Sequence, residues 1–321
     1  MDMEKRAEAS DPRWGCEPGK RTIAQLLECG VIFLDKPCGP SSHEATAYAR
    51  KILGVERAGH GGTLDPQVSG VLPIGLGRGA RVIGHMGRPD KEYVGIMRTK
   101  MDAGVGKVRE TFAKFTGEII QTPPKMSAVR KVPRKRKVYY LELAEFKGRD
   151  FLFTVGCEAG TYIRTLCTDM GKAMGGAAMI ELRRTAYGPI KEGACWTLQE
   201  ISDAWWQFQA SGDEKKLREI LLPPEAALTQ RKVTLSDGAV DTVCRGAPLA
   251  APGVARLDGG ITRGMAVAML TSKGELVGFG TAAMDSREML AAAKGVAVRT
   301  DAVIMKAGTY PQHMKARKED T

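Results

Sequence analysis

The stretch Gly59-His60-Gly61-Gly62-Thr63-Leu64-Asp65-Pro66, followed by Ser69-Gly70-Val71-Leu72-Pro73, decides how this chain is read. Its glycines permit backbone approaches that a side chain would forbid, and Pro66 biases Asp65 toward an extended conformation, which fixes where its carboxylate points. A lone Asp before Pro is ordinarily part of a turn. The surroundings lift this one above that reading. Residues 55 to 88 are glycine-rich with few helix-forming stretches, and Val71-Leu72-Pro73-Ile74-Gly75-Leu76 reads as an apolar strand.

Working outward, Val31-Ile32-Phe33-Leu34 is a short apolar strand stopped by Lys36-Pro37-Cys38-Gly39-Pro40. A helix follows: Ser41 and Glu44 have the form of a capping box, Ala45, Tyr48, Ala49 and Ile52 recur at helical spacing, and Gly54 closes the segment. Downstream, Tyr93 to Thr99 and Leu141 to Phe146 read as strands, the latter paired through Lys147-Gly148-Arg149-Asp150 with Phe151 to Cys157. Helices are expected at about 163 to 174 and across 197 to 221, the second bearing Trp205 and Trp206 and ended by Pro223-Pro224.

Beyond about residue 230 the texture changes to short apolar strands between glycine and proline turns, as expected of a small β-rich domain. The fold class is therefore α+β, with a mixed, mainly antiparallel sheet flanked by helices and loops, plus that β-rich module. The expected organisation is an arm over 1–29 with little regular structure, ordered by docking; a larger domain over 30–230 that carries the Asp65 stretch; the module over 231–305; and a tail over 306–321.

With 321 residues, 43% hydrophobic and 26% charged, the chain can bury a real core. A net charge of +11 favours a polyanionic partner over a small neutral substrate. No apolar run approaches the ~18 residues of a membrane span and the first twenty residues are unlike a signal peptide, so a soluble cytoplasmic protein without membrane partners is expected. Cys16, Cys29, Cys38, Cys157, Cys167, Cys195 and Cys244 form no CxxC pair, and His43, His60, His85 and His313 lack metal-ligand spacing, so reduced thiols and no metal are expected.

Several separated motifs together resemble the RNA pseudouridine synthases of the TruB and Cbf5/dyskerin family, over about residues 30 to 305. Asp35 to His43, which contains Lys36, is similar to the family's opening lysine-proline motif, and Gly59 to Pro66 to its catalytic-aspartate motif. Lys91-Glu92-Tyr93 resembles the KxY motif, and Gly160-Thr161-Tyr162-Ile163-Arg164 the motif whose arginine pairs with that aspartate. Leu182-Arg183-Arg184 with Gly188-Pro189 resembles the motif packed beside the site. Gly61 departs from the pattern, where serine or threonine is common. The resemblance implies the pseudouridine synthase fold with a C-terminal PUA domain. That module is implied by resemblance and not by charge, since residues 231–305 hold nine Lys/Arg against seven Asp/Glu.

These residue types suit the implied reaction. Uridine isomerisation breaks the N1–C1′ bond, turns the base and rejoins it through C5 without net redox change, so neither cofactor nor metal is required. The resemblance makes Asp65 the nucleophile, adding to the base at C6 or the sugar at C1′, a choice that the sequence leaves open. Arg164 is expected to keep that carboxylate charged, through paired hydrogen bonds in a site without water. Tyr93 offers a flat face for an extracted uracil and could assist removal of the C5 proton. Tyr162, His60, Leu182 and Lys36 complete the expected substrate site, Tyr162 being equally readable as core and His60 as a loop histidine bonded to backbone, while His43 is read as structural. Arg130, Lys131, Arg134, Lys135, Arg136 and Lys137, preceded by Pro123-Pro124-Lys125, are six basic residues in eight; a solvated loop is the plain reading and tracking of RNA phosphates the functional one.

Arg136 to Tyr140 runs almost directly into Leu141 to Phe146, leaving no room for the thumb-like insertion of the stand-alone tRNA enzymes. The resemblance is thus to Cbf5, which implies a box H/ACA guide RNA, a target RNA, and Nop10, Gar1 and L7Ae-like proteins as partners. The lack of long lysine-rich tails points to an archaeal form. Expected targets are uridines of ribosomal RNA, with transfer RNA as a further substrate. Two alternatives stand beside this: a guide-independent synthase for uridine 55 of the tRNA TΨC loop, and an RNA-binding scaffold without catalysis.

Overall fold

The computed structural model describes residues 2–5, 10–123 and 130–312. Pro124, Lys125 and His313 lie outside them. In chain order the strands are β1 (Asp2–Glu4), β2 (Cys29–Lys36), β3 (Ala58–His60), β4 (Val68–Gly77), β5 (Lys91–Thr99), β6 (Gly117–Gln121), β7 (Arg134–Lys147), β8 (Asp150–Cys157), β9 (Ala177–Tyr187), β10 (Ile190–Lys191), β11 (Arg231–Leu235), β12 (Leu249–Ala250), β13 (Val254–Asp258), β14 (Ala266–Leu270), β15 (Leu276–Ala282) and β16 (Val296–Val303). The helices are α1 (Ile23–Glu28), α2 (Ser42–Ile52), α3 (Gly79–His85), α4 (Val105–Lys114), α5 (Ile163–Lys172), α6 (Leu198–Ser211), α7 (Lys215–Ile220), α8 (Asp237–Cys244) and α9 (Ser286–Ala291).

The larger sheet runs β2-β4-β9-β5-β8-β7-β6, with β3 on β4 and β10 on β9; β4 and β9 are parallel and its other pairings antiparallel. β4 reads as one apolar run because both of its faces are covered. Leu72, Ile74 and Leu76 pack with Ile32 and Leu34 under α1, α2, α6 and α7, while Val71 packs on the other face with Val31 and Phe33. Gly70, at φ +103°, lets the parallel pair close up: a Cβ there would stand 2.1 Å from the Arg184 carbonyl oxygen. A second core fills the space between β5, β7 and β8 and helices α4 and α5, from Met97, Phe112, Phe151 and Phe153 to Leu166 and Met170. Leu64, Tyr93, Ile163 and Leu182 belong to the same cluster.

The second sheet runs β1-β13-β11-β14-β15-β16-β12. It meets the first unit through an apolar patch in which Val82 of α3 packs with Ala268, Leu270, Leu276, Phe279 and Ile304. Among the described residues no helix is long and apolar enough to cross a membrane.

Several expectations are corrected. The first thirty residues hold more regular structure than expected: β1 pairs with β13, and α1 begins with a Thr22/Gln25 capping box. The stretch 55 to 88 contains α3. The helical region 197 to 221 is two helices, because Gly212 ends α6 in the left-handed conformation. Tyr48, at helical spacing with the apolar residues of α2, is half exposed, because the buried face runs through Ser42, Ala45, Thr46 and Ala49. The second half of the basic run is strand, which limits the plain solvated-loop reading and leaves the functional one untouched: Arg134 to Lys137 open β7 and pair with β6.

Candidate active site

Asp65 lies in the connection from β3 to β4, and backbone bonds fix that connection from several sides. Ser42 at the start of α2 clamps Leu64, its hydroxyl accepting from the Leu64 N–H at 2.8 Å and donating to the Leu64 carbonyl at 3.0 Å. The Pro66 carbonyl accepts from the Gly39 N–H at 2.9 Å, and the Gly61 N–H donates to the Pro73 carbonyl at 3.0 Å. Gly62 turns with φ +66°.

Lys36 corrects an expectation. It is fully buried, and its ammonium donates to the carbonyls of Pro37 (2.8 Å), Val68 (2.9 Å) and Pro66 (3.3 Å), with burial holding its pKa down. With its donors taken by backbone, it positions the Asp65 loop and is not presented to a substrate. Leu182 is likewise buried, packed between β4 and β5.

Leu64 and Ile163 both anchor in the core beneath the site, which turns their neighbours Asp65 and Arg164 outward toward each other. Arg164 Nη2 donates to Asp65 Oδ2 at 2.6 Å. The pairing is as expected, but through one hydrogen bond, and the Arg164 and Asp65 side chains are 46% and 55% exposed, so water is not excluded in the free chain.

Tyr93 is 8% exposed, and burial pushes its hydroxyl to a higher pKa while the adjacent Arg184 guanidinium works the other way. Arg184 is itself buried, with Nε and Nη2 donating to the Val71 carbonyl at 2.8 and 2.6 Å. Arg183 grips Asp35 with two bonds of 2.9 Å, tying β9 to β2. His60 is not bonded to backbone: among the described residues neither ring nitrogen has a partner, its ring stands edge-on to that of His43 at 4.8 Å, and burial lowers its pKa. Both of its ring nitrogens are buried, so the imidazole five residues before Asp65 presents no nitrogen at the surface of the free chain.

Gln121 at the end of β6 holds Tyr162 by both its backbone N–H (3.0 Å) and carbonyl (3.2 Å), setting the start of α5 and hence Arg164. Beside it a cavity of about 150 Å³ is lined by Arg88, Gln121, Pro123, Arg134, Arg136, Gly160 and Tyr162. Arg136 Nε donates to the Gly160 carbonyl at 3.1 Å, while Lys135 pairs with Glu118 on the strand surface and Arg130, Lys131 and Lys137 are exposed. The structure thus joins Tyr162, Arg134 and Arg136 in one cationic hollow. It adds Arg88, which has no signal in sequence beyond its turn, and Gln121.

Comparison with known proteins gives this geometry its class. Residues 50–163 match the family profile described as TruB family pseudouridylate synthase (N terminal domain), residues 164–229 the tRNA pseudouridylate synthase B C-terminal domain, residues 231–304 the PUA domain, and residues 3–46 the DKCLD (NUC011) domain. The protein is a pseudouridine synthase. Similar proteins include the probable tRNA pseudouridine synthase B of Pyrococcus furiosus, 48% identical over 96% of this chain and 92% of that one, and that of Pyrobaculum arsenaticum, 46% identical over 97% and 95%. Among solved structures, an archaeal box H/ACA sRNP Nop10-Cbf5 complex aligns at 44% identity over 97% of this chain and 98% of that one, with TM-score 0.91. A Cbf5-Nop10-Gar1 complex aligns at 47% over 97% and 96%, with TM-score 0.92. The chain belongs to the TruB/Cbf5 family of pseudouridine synthases.

Proposed function

We propose that this chain is the catalytic subunit of a box H/ACA guide-RNA complex, converting chosen uridines of ribosomal RNA, and of transfer RNA, to pseudouridine. The observation that carries this reading is its alignment over 97% of its length with Cbf5 solved beside Nop10 and Gar1. A further similar structure, at 45% identity and TM-score 0.91, is an H/ACA RNP bound to a substrate RNA containing 2′-deoxyuridine. The unbroken strand β7 supports it, since Arg134 to Lys147 leaves no inserted thumb. Nop10-, Gar1- and L7Ae-like proteins are the proposed partners, and the cytoplasm the proposed compartment.

In this reading Asp65 is the carboxylate that adds to C6 or C1′, and Arg164 keeps it charged and aimed. Bound RNA covers the pair and removes its water, which strengthens their interaction at the moment it is needed. Tyr93 forms the wall against which the extracted base rests, and His60 and Tyr162 line its place. Arg88, Arg134 and Arg136 receive the backbone phosphates beside it, with Arg130, Lys131, Lys135 and Lys137 extending the basic track. The PUA-like unit over residues 231–305 holds the guide through backbone and shape contacts.

A second reading is favoured by the printed names of the relatives, which are tRNA enzymes: a guide-independent synthase for the tRNA TΨC loop. The experiment is pseudouridine formation by the purified chain on target RNA and on tRNA, with and without guide and partner proteins. Turnover that requires the guide supports the first reading. Equal turnover of tRNA by the chain alone moves the protein to the second, and no turnover in any mixture leaves an RNA-binding scaffold.

A further inference from the structure

Tyr187 ends β9, is 3% exposed, and touches the loop that carries Asp65. A Cβ on Gly62 would lie 2.3 Å from its Cε2, and one on Gly61 would lie 3.3 Å from its hydroxyl oxygen and 2.8 Å from Ile83 Cγ2. The backbone three and four residues before Asp65 therefore rests directly on an aromatic ring. Cations from two strands approach the same ring, Lys91 Nζ at 4.7 Å and Arg184 Cζ at 5.0 Å from its centroid. Each is within the range of a cation–π attraction. Lys91 opens the strand that bears Tyr93, and Arg184 holds Val71 of β4, so the ring is where the Asp65 loop, β4 and β5 are brought to a common position.

The hydrogen bonds from Ser42, Gly39 and Lys36 fix Leu64 and Pro66, and that of Gly61 fixes the loop's entry. The stretch between these fixed points lies on the ring. We propose that Tyr187 is a positioning residue for Asp65: its ring is the surface on which Gly61 and Gly62 are set, and its hydroxyl, together with the nearer Ile83 Cγ2, closes the space that a side chain at position 61 would take. Positions 61 and 187 are then interdependent, with Ile83 bordering the same space. This rests on the reading of Asp65 as the reacting carboxylate.

The geometry demands small errors only, because a displaced catalytic group loses rate well before the loop loses its fold. Single-turnover rates and RNA affinities of the guide-loaded complex test this with Tyr187→Phe, Tyr187→Ala, Gly61→Ser and the double variant. Tyr187→Ala should slow turnover roughly 10- to 100-fold with RNA affinity held within about twofold, and Tyr187→Phe should stay within about threefold of wild type. Gly61→Ser should slow the wild-type enzyme, yet speed the Tyr187→Ala enzyme by about fivefold, because its side chain then enters the vacated space and Ile83 has room to yield. A double variant no faster than Tyr187→Ala, or a loss confined to RNA affinity, overturns the proposal. If Tyr187→Ala does not fold, Tyr187→Leu with the same Gly61→Ser partner decides by the same sign. Asp65→Asn is the control: full activity there would sink the carboxylate reading and leave the packing of the loop untouched.

Discussion

Arg184 is 1% exposed and directs two donors at one backbone carbonyl, that of Val71, whereas Arg164, with 46% of its side chain exposed, meets the Asp65 carboxylate through a single bond of 2.6 Å. Lys36 sides with Arg184, its ammonium enclosed by three carbonyls. Buried cations with backbone partners hold the loop, and an open cation with a carboxylate partner lies at the surface, where the proposed reading places the RNA. A motif can contain both kinds, and only burial and partner tell them apart. An exposed ion pair contributes little to stability, so Arg164 is better explained by chemistry than by folding.

The sharpest way to break this division is Asp65→Asn. It should abolish turnover, by about 10⁴-fold or more, while RNA affinity and the urea midpoint stay at wild-type values, since on the proposed reading only the reacting carboxylate is lost. A shifted midpoint would return Asp65 to the scaffold. Lys36→Met should act the other way, destabilising the fold by roughly 2–4 kcal/mol because buried carbonyls of the loop lose their donor. Urea unfolding reads that, and an unchanged midpoint would contradict the role given to Lys36.

A smaller effect concerns Lys91, whose pKa burial holds down at about 8 against an ordinary 10.5. Between these values the unfolded chain binds more protons than the folded one, so this group's contribution to stability rises with pH across the window. Below about 8 the lysine is charged in both states and its burial penalty is fully present. The stability difference between wild type and Lys91→Met should therefore move in favour of wild type as pH goes from about 7.5 to about 9.5. Parallel curves would show that Lys91 is not desolvated.

How much was legible in the sequence follows the same division. The α2 helix was readable because Ser41 and Glu44 form a real capping box, and β2 and β4 because their apolar runs are continuous. By contrast, α4 has Gly104 as its N-cap and no side-chain cap, and α3 is seven residues long with Gly79 and Gly84 within it, so neither announces itself. β7 begins inside a basic run because its pairing with β6 is made by backbone, which composition does not reveal. In the site, Asp65 and Arg164 are 99 positions apart, and their pairing was reached through family motifs. Which of Lys36, Leu182 and Tyr93 would be buried, and that Tyr187 and Arg88 would join the loop and the cavity, depends on tertiary packing that no local pattern carries.

The most direct measurement of the central claim sets Arg164→Ala beside Arg184→Met, scoring turnover, RNA affinity and urea unfolding for both. Arg164→Ala should lose about 100-fold in turnover with affinity and unfolding unchanged. Arg184→Met should lower stability by about 1–3 kcal/mol as the Val71 carbonyl is left without its donors. If Arg164→Ala instead loses affinity and turnover equally, or unfolds as readily as Arg184→Met, the separation of scaffold from chemistry around Asp65 is wrong.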